Sequence, residues 1–192
     1  MIIRLEQAAD VAGIRQLNEA AFGRPDEGTL VDALRVAGAV IASLVAEEEG
    51  EVIGHILFSP AMLYSHSQVI GHLPTHPPDA AAAPQANAVT PETRRPIAAL
   101  GPMAVAPAHQ RRGVGSQLIV AGLELCRAAG YDLVIVLGHT DYYPRFGFRP
   151  APPLGIRWEH GADAHFMVQE LQPGALDGAS GVVRYRPEFD NV

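Results

Sequence analysis

Apolar residues in the first forty positions recur first at strand-like and then at helix-like spacing. The opening letters "MIIRLE" are short and β-branched, which predicts a strand. Asp10 then provides an N-cap for a first amphipathic helix, and "PDEGTLVDALRVAG" predicts a second, short helix with acidic residues at its start and Gly38 at its end. The predicted buried positions of the first helix are Val11, Ile14, Leu17 and Phe22.

The next apolar segment, "SLVAEEEGEVIGHILFSPAMLY", predicts two strands joined at the polar tip "EEEGE", as in a β-hairpin. Its acidic run, Glu47 to Glu49, is interpreted first as a solvated tip and only second as an attractor for a cationic substrate. From Ser65 to Pro96 the chain becomes rich in Pro, Ala and His. This composition predicts a long flexible excursion between two neighbouring strands, with His66, His72 and His76 in a solvated loop rather than a zinc site.

The second half of the chain predicts a strand, a helix and another strand in succession. "IAALGPMAVAP" is the first strand, "GVGSQLIVAGLELCRAAG" the helix ending at Gly130, and "YDLVIVLG" a strand covered on both faces. This order predicts a right-handed crossover unit, followed by strands in "HFMVQEL" and "SGVVRYRPEF". Together the patterns predict a mixed α/β fold in one domain of residues 1–192. The predicted buried face of the helix is Val114, Leu118, Ala121 and Leu125.

Composition excludes several classes of protein. The 192 residues suffice for one domain with a real core, and the net charge of −7 argues against a broad nucleic-acid-binding surface. The single cysteine excludes an intramolecular disulfide and a cysteine zinc cage. The N-terminal segment does not resemble a signal peptide, and no apolar run reaches the roughly 20 residues that span a bilayer. We therefore expect a soluble cytoplasmic protein with no membrane partner.

The letters "QRRGVG", Gln110 to Gly115, lie between the predicted strand and the predicted helix. The first turn of a helix leaves backbone N–H groups unpaired and carries positive potential. Glycine at 113 and 115 removes the Cβ atoms that would keep an anion away, and Arg111 and Arg112 add charge beside them. These six letters alone indicate a diphosphate site about as well as an ordinary turn with two solvated arginines.

Two common phosphate motifs do not fit these letters. A P-loop needs Lys and then Ser or Thr after its second glycine, whereas Gly115 is followed by Ser116 and Gln117. A dinucleotide fingerprint needs a third glycine, whereas Leu118 occupies that position.

The segment instead resembles the acyl-CoA signature of the GNAT N-acetyltransferase superfamily, Gln/Arg-x-x-Gly-x-Gly/Ala. The surrounding "LGPMAVAPAHQRRGVGSQLI" is similar to the family's strand, bend, loop and helix. Downstream, "YYPRFGF" is similar to the family's Tyr-x-x-x-Gly-Phe element and puts Tyr143 at its tyrosine. The resemblance implies a central, twisted mixed sheet of about six to seven strands with helices on both faces.

The resemblance also implies a reaction. Members transfer an acetyl group from acetyl-CoA directly to an amine, so the expected partner is a small-molecule or protein amine, with a homodimer possible. Backbone groups of the strand at Met103, Ala104 and Val105 would pair with the pantetheine arm, and the N–H group of Val105 would polarise the thioester carbonyl. The implied diphosphate-binding residues are Gln110, Arg111, Arg112, Gly113, Val114, Gly115 and Ser116.

Tyr143 is the implied general acid that protonates the leaving thiolate. The alternative is a core tyrosine packed on Phe146 and Phe148, and Tyr142 is an adjacent competitor for the role. Cys126 lacks the local setting of a nucleophile and is interpreted as core.

The general base stays unassigned. Glu27, His55, His139 and Asp141 are open candidates, and an ordered water is another. The strand "AALGPMAV" has no carboxylate, so a catalytically inert acyl-CoA sensor on the same fold is the alternative function.

Overall fold

The computed structural model describes residues 1–64, 95 and 97–191, and these contain three α-helices and nine strands. The helices are α1 (Val11–Phe22), α2 (Asp26–Val36) and α3 (Val114–Ala128). The strands are β1 (Ile2–Leu5), β2 (Ala42–Glu48), β3 (Glu51–Tyr64), β4 (Ile97–Val105), β5 (Leu133–Leu137), β6 (Arg149–Pro150), β7 (Ile156–Trp158), β8 (Phe166–Glu170) and β9 (Gly181–Arg184).

These strands form one mixed sheet in the order β1-β2-β3-β4-β5-β8-β6, and β9 pairs with the end of β3 and with β7. β4 and β5 are parallel and joined through α3, as the sequence predicts. The fold class is confirmed. The strand count in the described residues exceeds the expected six to seven because β6 and β7, with 2 and 3 residues, are too short to show an alternating pattern.

Helices cover both faces of the sheet, and the side chains of β2 and β3 alternate between them. Val45 and Leu57 point to the face that packs against α1 and α2. Ile56 and Phe58 point to the opposite face, where α3 packs. This alternation follows from the period of two along a strand.

The buried face of α3 differs in part from the predicted one. Val114 and Leu118 are buried as expected, whereas Leu125 is 36% exposed and Cys126 is fully buried. The reason lies at Gly122, where an added Cβ would come within 2.1 Å of the Phe58 ring. The helix therefore packs with its glycine against the sheet, and the residues that accompany it inward are Ile119, Leu123 and Cys126.

The first helix shows a similar difference. Ile14 and Leu17 are buried as predicted, but Phe22 is 42% exposed at the C-terminal end of α1. Phe22 lies instead at the edge of the cavity described below. The last position of the apolar pattern thus belongs to the candidate site and not to the core.

β3 and β4 are antiparallel neighbours, with Ala61 opposite Ile97, so the predicted excursion does leave and re-enter adjacent strands. The excursion itself, including its three histidines, falls on residues 65–94 and 96, outside the described residues. Among the helices of the described residues, none has the length and apolar character to cross a membrane.

Candidate active site

The candidate site begins where β4 and β5 stop pairing. Their parallel ladder ends at Leu100 opposite Val136, whereas β4 continues beside β3 with Met103 opposite Ile56. The β3–β4 register shifts between Ile56 and Phe58, opposite the Gly101-Pro102 segment, as at a β-bulge. The two strands therefore diverge beyond Leu100, and the edge of β4 that faces β5 is open for an added strand.

The loop after β4 leads the chain into α3. A short 3-10 turn, Pro107–His109, is followed by a turn in which the Gln110 side-chain amide donates to the Val105 carbonyl at 3.1 Å. The Gln117 N–H donates to the Gly113 carbonyl at 3.1 Å, which is the start of the helical ladder. The backbone N–H groups of Val114 to Ser116 precede that bond and point out of the first turn of α3.

Glycine is required at 113 and 115 for two different reasons. Gly113 has φ of 84°, in the left-handed region, and an added Cβ there would face open space. Gly115 is buried, and an added Cβ would lie 2.9 Å from the Tyr142 hydroxyl oxygen. The first glycine keeps the approach to the loop open, and the second lets Tyr142 pack over the helix start.

Charge around the loop is positive but partly balanced. The side chain of Arg112 is 57% exposed and its guanidinium lies 3.8 Å from a Glu48 carboxylate oxygen. His109 approaches the same oxygen at 3.5 Å. The acidic hairpin tip thus contacts the loop, and Arg111 and Arg112 stay largely solvent-accessible beside the N-terminus of α3.

The two tyrosines of "YYPRFGF" have different surroundings. Tyr142 lies under the Arg145 guanidinium, 4.3 Å from ring centroid to carbon, and its hydroxyl is 3.5 Å from the Ser116 hydroxyl. Tyr143 is buried and packs edge-on against Phe148 with ring centroids 5.5 Å apart. Phe146 packs on Tyr142 instead. Burial, with a smaller contribution from Tyr142, raises the pKa of the Tyr143 phenol, so it stays protonated at neutral pH.

A cavity of about 410 Å³ opens beside these elements. Residues from four parts of the chain line it. The lining includes the diverging strands at Leu100, Gly101, Pro102, Met103 and Leu137, the following loop at Gly138, His139, Tyr142 and Tyr143, the α1–α2 region at Phe22, Arg24, Glu27 and Leu30, and the C-terminal part at Trp158, Tyr185 and Phe189.

Two of the four candidate bases line the cavity and two do not. Glu27 and His139 line it, whereas Asp141 is exposed elsewhere and His55 is fully buried away from it. Cys126 is also buried in the core, where burial raises the pKa of its thiol to about 12. A protonated, inaccessible thiol cannot act as a nucleophile, as expected from the sequence.

His55 belongs to a buried polar network between the first helices and the sheet. Its Nε2 lies 3.0 Å from the Ser43 hydroxyl and its Nδ1 lies 3.4 Å from the Asn18 amide nitrogen. Ser43 donates in turn to Glu6, which Arg35 pairs at 2.7 Å. Burial is the main reason that the pKa of His55 falls from 6.5 to about 3. This histidine is a neutral structural group.

A pH dependence of stability follows from His55. Between pH 6.5 and about 3 the unfolded chain binds a proton at His55 that the native protein does not, so the free energy of unfolding falls as pH falls through this window. We expect a contribution approaching about 1.4 kcal/mol per pH unit in urea unfolding between pH 7.0 and 5.5. His55→Gln should lose most of it, and the control His139→Gln should keep it. Equal pH dependence in the two variants would contradict the assignment.

The family assignment agrees with this geometry. The sequence profile of the Acetyltransferase (GNAT) family matches residues 11–148. This chain belongs to the GNAT acetyltransferase family. The prediction that the protein is an acyltransferase is thereby confirmed.

Similar proteins cover almost the whole chain. The uncharacterized N-acetyltransferase YhbS of Escherichia coli K12 is 31% identical over 194 residues, covering 99% of each chain. YjhQ of the same organism, also an uncharacterized N-acetyltransferase, is 34% identical over 182 residues, covering 88% of this chain and 85% of YjhQ.

Two solved structures share the fold. The crystal structure of E. coli YhbS in complex with CoA has a TM-score of 0.80 at 29% identity, covering 98% of this chain and 91% of that one. A GNAT acetyltransferase from Brucella melitensis in complex with acetyl-CoA has a TM-score of 0.71 at 35% identity, covering 98% of this chain and 97% of that one.

Proposed function

We propose that residues 1–192 form a single N-acetyltransferase domain that moves the acetyl group of acetyl-CoA to a primary amine by direct attack. The observation that carries the proposal is the divergence of β4 from β5 beyond Leu100, beside a cavity that contains Tyr143. The relatives solved with CoA and with acetyl-CoA support the same donor here.

The described residues fit such a donor at two places. The open edge of β4 at Met103 to Val105 offers backbone groups to a pantetheine arm, which is amide-containing and extended. The unpaired N–H groups at the start of α3, the open space over Gly113 and the exposed Arg111 and Arg112 suit a diphosphate.

Acetyl-CoA, the Val105 backbone and the Tyr143 side chain then each have a separate role in the reaction. Acetyl-CoA supplies an activated acetyl thioester. The Val105 N–H group polarises its carbonyl while the neutral amine nitrogen attacks, so that the N–C bond forms and the C–S bond breaks. The Tyr143 hydroxyl gives its proton to the departing thiolate sulfur, and the proton that the amine nitrogen loses returns to Tyr143 through solvent. The Tyr143 phenol is protonated at neutral pH, as a proton donor must be, because its ordinary pKa of about 10 is raised further by burial.

Two measurements test this function. Calorimetry with acetyl-CoA should show binding, and free-thiol release over a panel of primary amines should exceed the amine-free rate for at least one amine. Absence of acetyl-CoA binding would refute the proposal. Binding with no amine-dependent thiol release would instead indicate the inert acyl-CoA sensor.

A further inference from the structure

Glu27, in the first turn of α2, is a buried carboxylate in the wall of the cavity. The residue is 5% exposed. One of its oxygens, Oε1, accepts hydrogen bonds from the Arg24 guanidinium. The other, Oε2, is buried and has no hydrogen-bond partner among the described residues.

An unpaired buried carboxylate oxygen is costly, because the group loses its water and gains nothing in return. Helix α2 does benefit from negative charge in its first turn, but the half-exposed Asp26 already provides that. The position of Glu27 therefore indicates a ligand group that donates to Oε2.

The other residues of the cavity wall indicate the chemical character of that ligand. Glu27 is the only carboxylate among the described residues that line the cavity. Most of the remaining lining is apolar or aromatic, and aromatic faces attract cations. The rings of the lining belong to Phe22, Tyr142, Tyr143, Trp158, Tyr185 and Phe189.

Two of these rings also carry unsatisfied polar atoms. Trp158 Nε1 and the Tyr185 hydroxyl are buried without a hydrogen-bond partner among the described residues. They come from β7 and from the chain just after β9, on a different part of the cavity wall from α2. A ligand with a polar substituent on an apolar body would have partners at both places.

We propose that this cavity is the acceptor site and that it takes a small monoamine with an apolar or aromatic body, whose ammonium group donates to Glu27 Oε2. The inference rests on the proposed acetyl transfer and deepens it by naming the acceptor class. Arg24 occupies Oε1 of Glu27, so Oε2 is left for one ammonium group rather than for a polyamine, and a cavity of about 410 Å³ suits a small ligand. Glu27 acts here as a binding residue for the charged amine, and the ammonium group loses one proton to solvent before the neutral nitrogen attacks the thioester carbonyl.

The chain offers a matched control in Asp26. Both acidic residues lie in the first turn of α2 and both pair with Arg24, Asp26 at 3.4 Å. Asp26 is 40% exposed at its side chain and does not line the cavity. Glu27→Gln and Asp26→Asn therefore remove the same charge from the same helix end, and only the first changes the cavity.

The test uses 2-phenylethylamine, which has the ammonium group and the aromatic body but no further polar substituent, as acceptor with saturating acetyl-CoA. Glu27→Gln should raise KM for 2-phenylethylamine at least about 10-fold, because a charged hydrogen bond is lost, while Asp26→Asn changes KM less than about 2-fold. Calorimetry should give all three proteins the same acetyl-CoA affinity. Spermidine and an N-terminally blocked lysine peptide should be poorer substrates than 2-phenylethylamine for the unmodified chain.

Equal effects of the two variants, or better turnover of spermidine or the lysine peptide, would overturn the inference while leaving acetyl transfer intact. Loss of acetyl-CoA binding by the unmodified chain would instead refute the proposed function. If Glu27→Gln does not fold, the unmodified protein is tested instead, by inhibition of its acetylation of another amine. In that assay 2-phenylethylamine should inhibit at least about 10-fold better than the uncharged, equally shaped 2-phenylethanol, and equal inhibition would overturn the inference.

Discussion

Replacing Tyr143 by Phe should lower kcat about 10²–10⁴-fold while leaving acetyl-CoA affinity unchanged within about 2-fold. The substitution removes only a hydroxyl, so the edge-on packing of the ring against Phe148 is retained. The proposed contacts to the diphosphate and pantetheine are made by backbone groups, which the substitution does not alter. We therefore expect the rate to fall while the acetyl-CoA affinity stays the same. Steady-state acetylation at saturating substrate measures kcat, and calorimetry measures the acetyl-CoA affinity.

Tyr142→Phe is the control for this prediction. The Tyr142 ring is equally aromatic and packs edge-on against Tyr143, but its hydroxyl lies toward Ser116 at the start of α3. It should therefore reduce kcat much less. Equal losses in the two variants would transfer the proton donor role to solvent. Loss of melting temperature and acetyl-CoA affinity together with rate would make Tyr143 a core residue.

The elements of the fold were predictable where apolar spacing was regular and long. The βαβ unit of β4, α3 and β5 follows from two apolar runs on either side of a helical period. The predicted buried face of α3 was partly wrong, because a pattern based on side-chain size gives no weight to Gly122. Only the three-dimensional contact with Phe58 shows that a glycine can mark the most closely packed point of a helix.

The two halves of the candidate site differ in how far the sequence reveals them. The loop from Gln110 to Ser116 is contiguous, and its chemistry requires glycines at fixed spacing, so a local pattern can show it. The acceptor cavity combines Glu27, Trp158 and Tyr185 from distant parts of the chain. No spacing rule connects them. The single tryptophan of the sequence could have been noted as a candidate binding residue, but only the fold shows that it lines a cavity that contains a carboxylate.

Gly113→Val should weaken acetyl-CoA binding about 10–100-fold, which corresponds to the loss of one or two hydrogen bonds to a charged group. The added side chain would fill the open space over the loop and exclude a diphosphate oxygen from the N–H groups at the start of α3. Calorimetry with acetyl-CoA measures the loss. It should be accompanied by a lower melting temperature, because valine is strained at φ of 84°.

Gly130→Val is the control that distinguishes the loss of acetyl-CoA binding from the loss of stability. Gly130 follows the other end of α3, has the same φ of 84°, and also faces open space. The control should therefore show similar backbone strain and a similar fall in melting temperature, but the same acetyl-CoA affinity as the unmodified chain. If Gly130→Val weakens acetyl-CoA binding as much as Gly113→Val does, lost stability explains both results. If Gly113→Val binds normally, the diphosphate lies elsewhere.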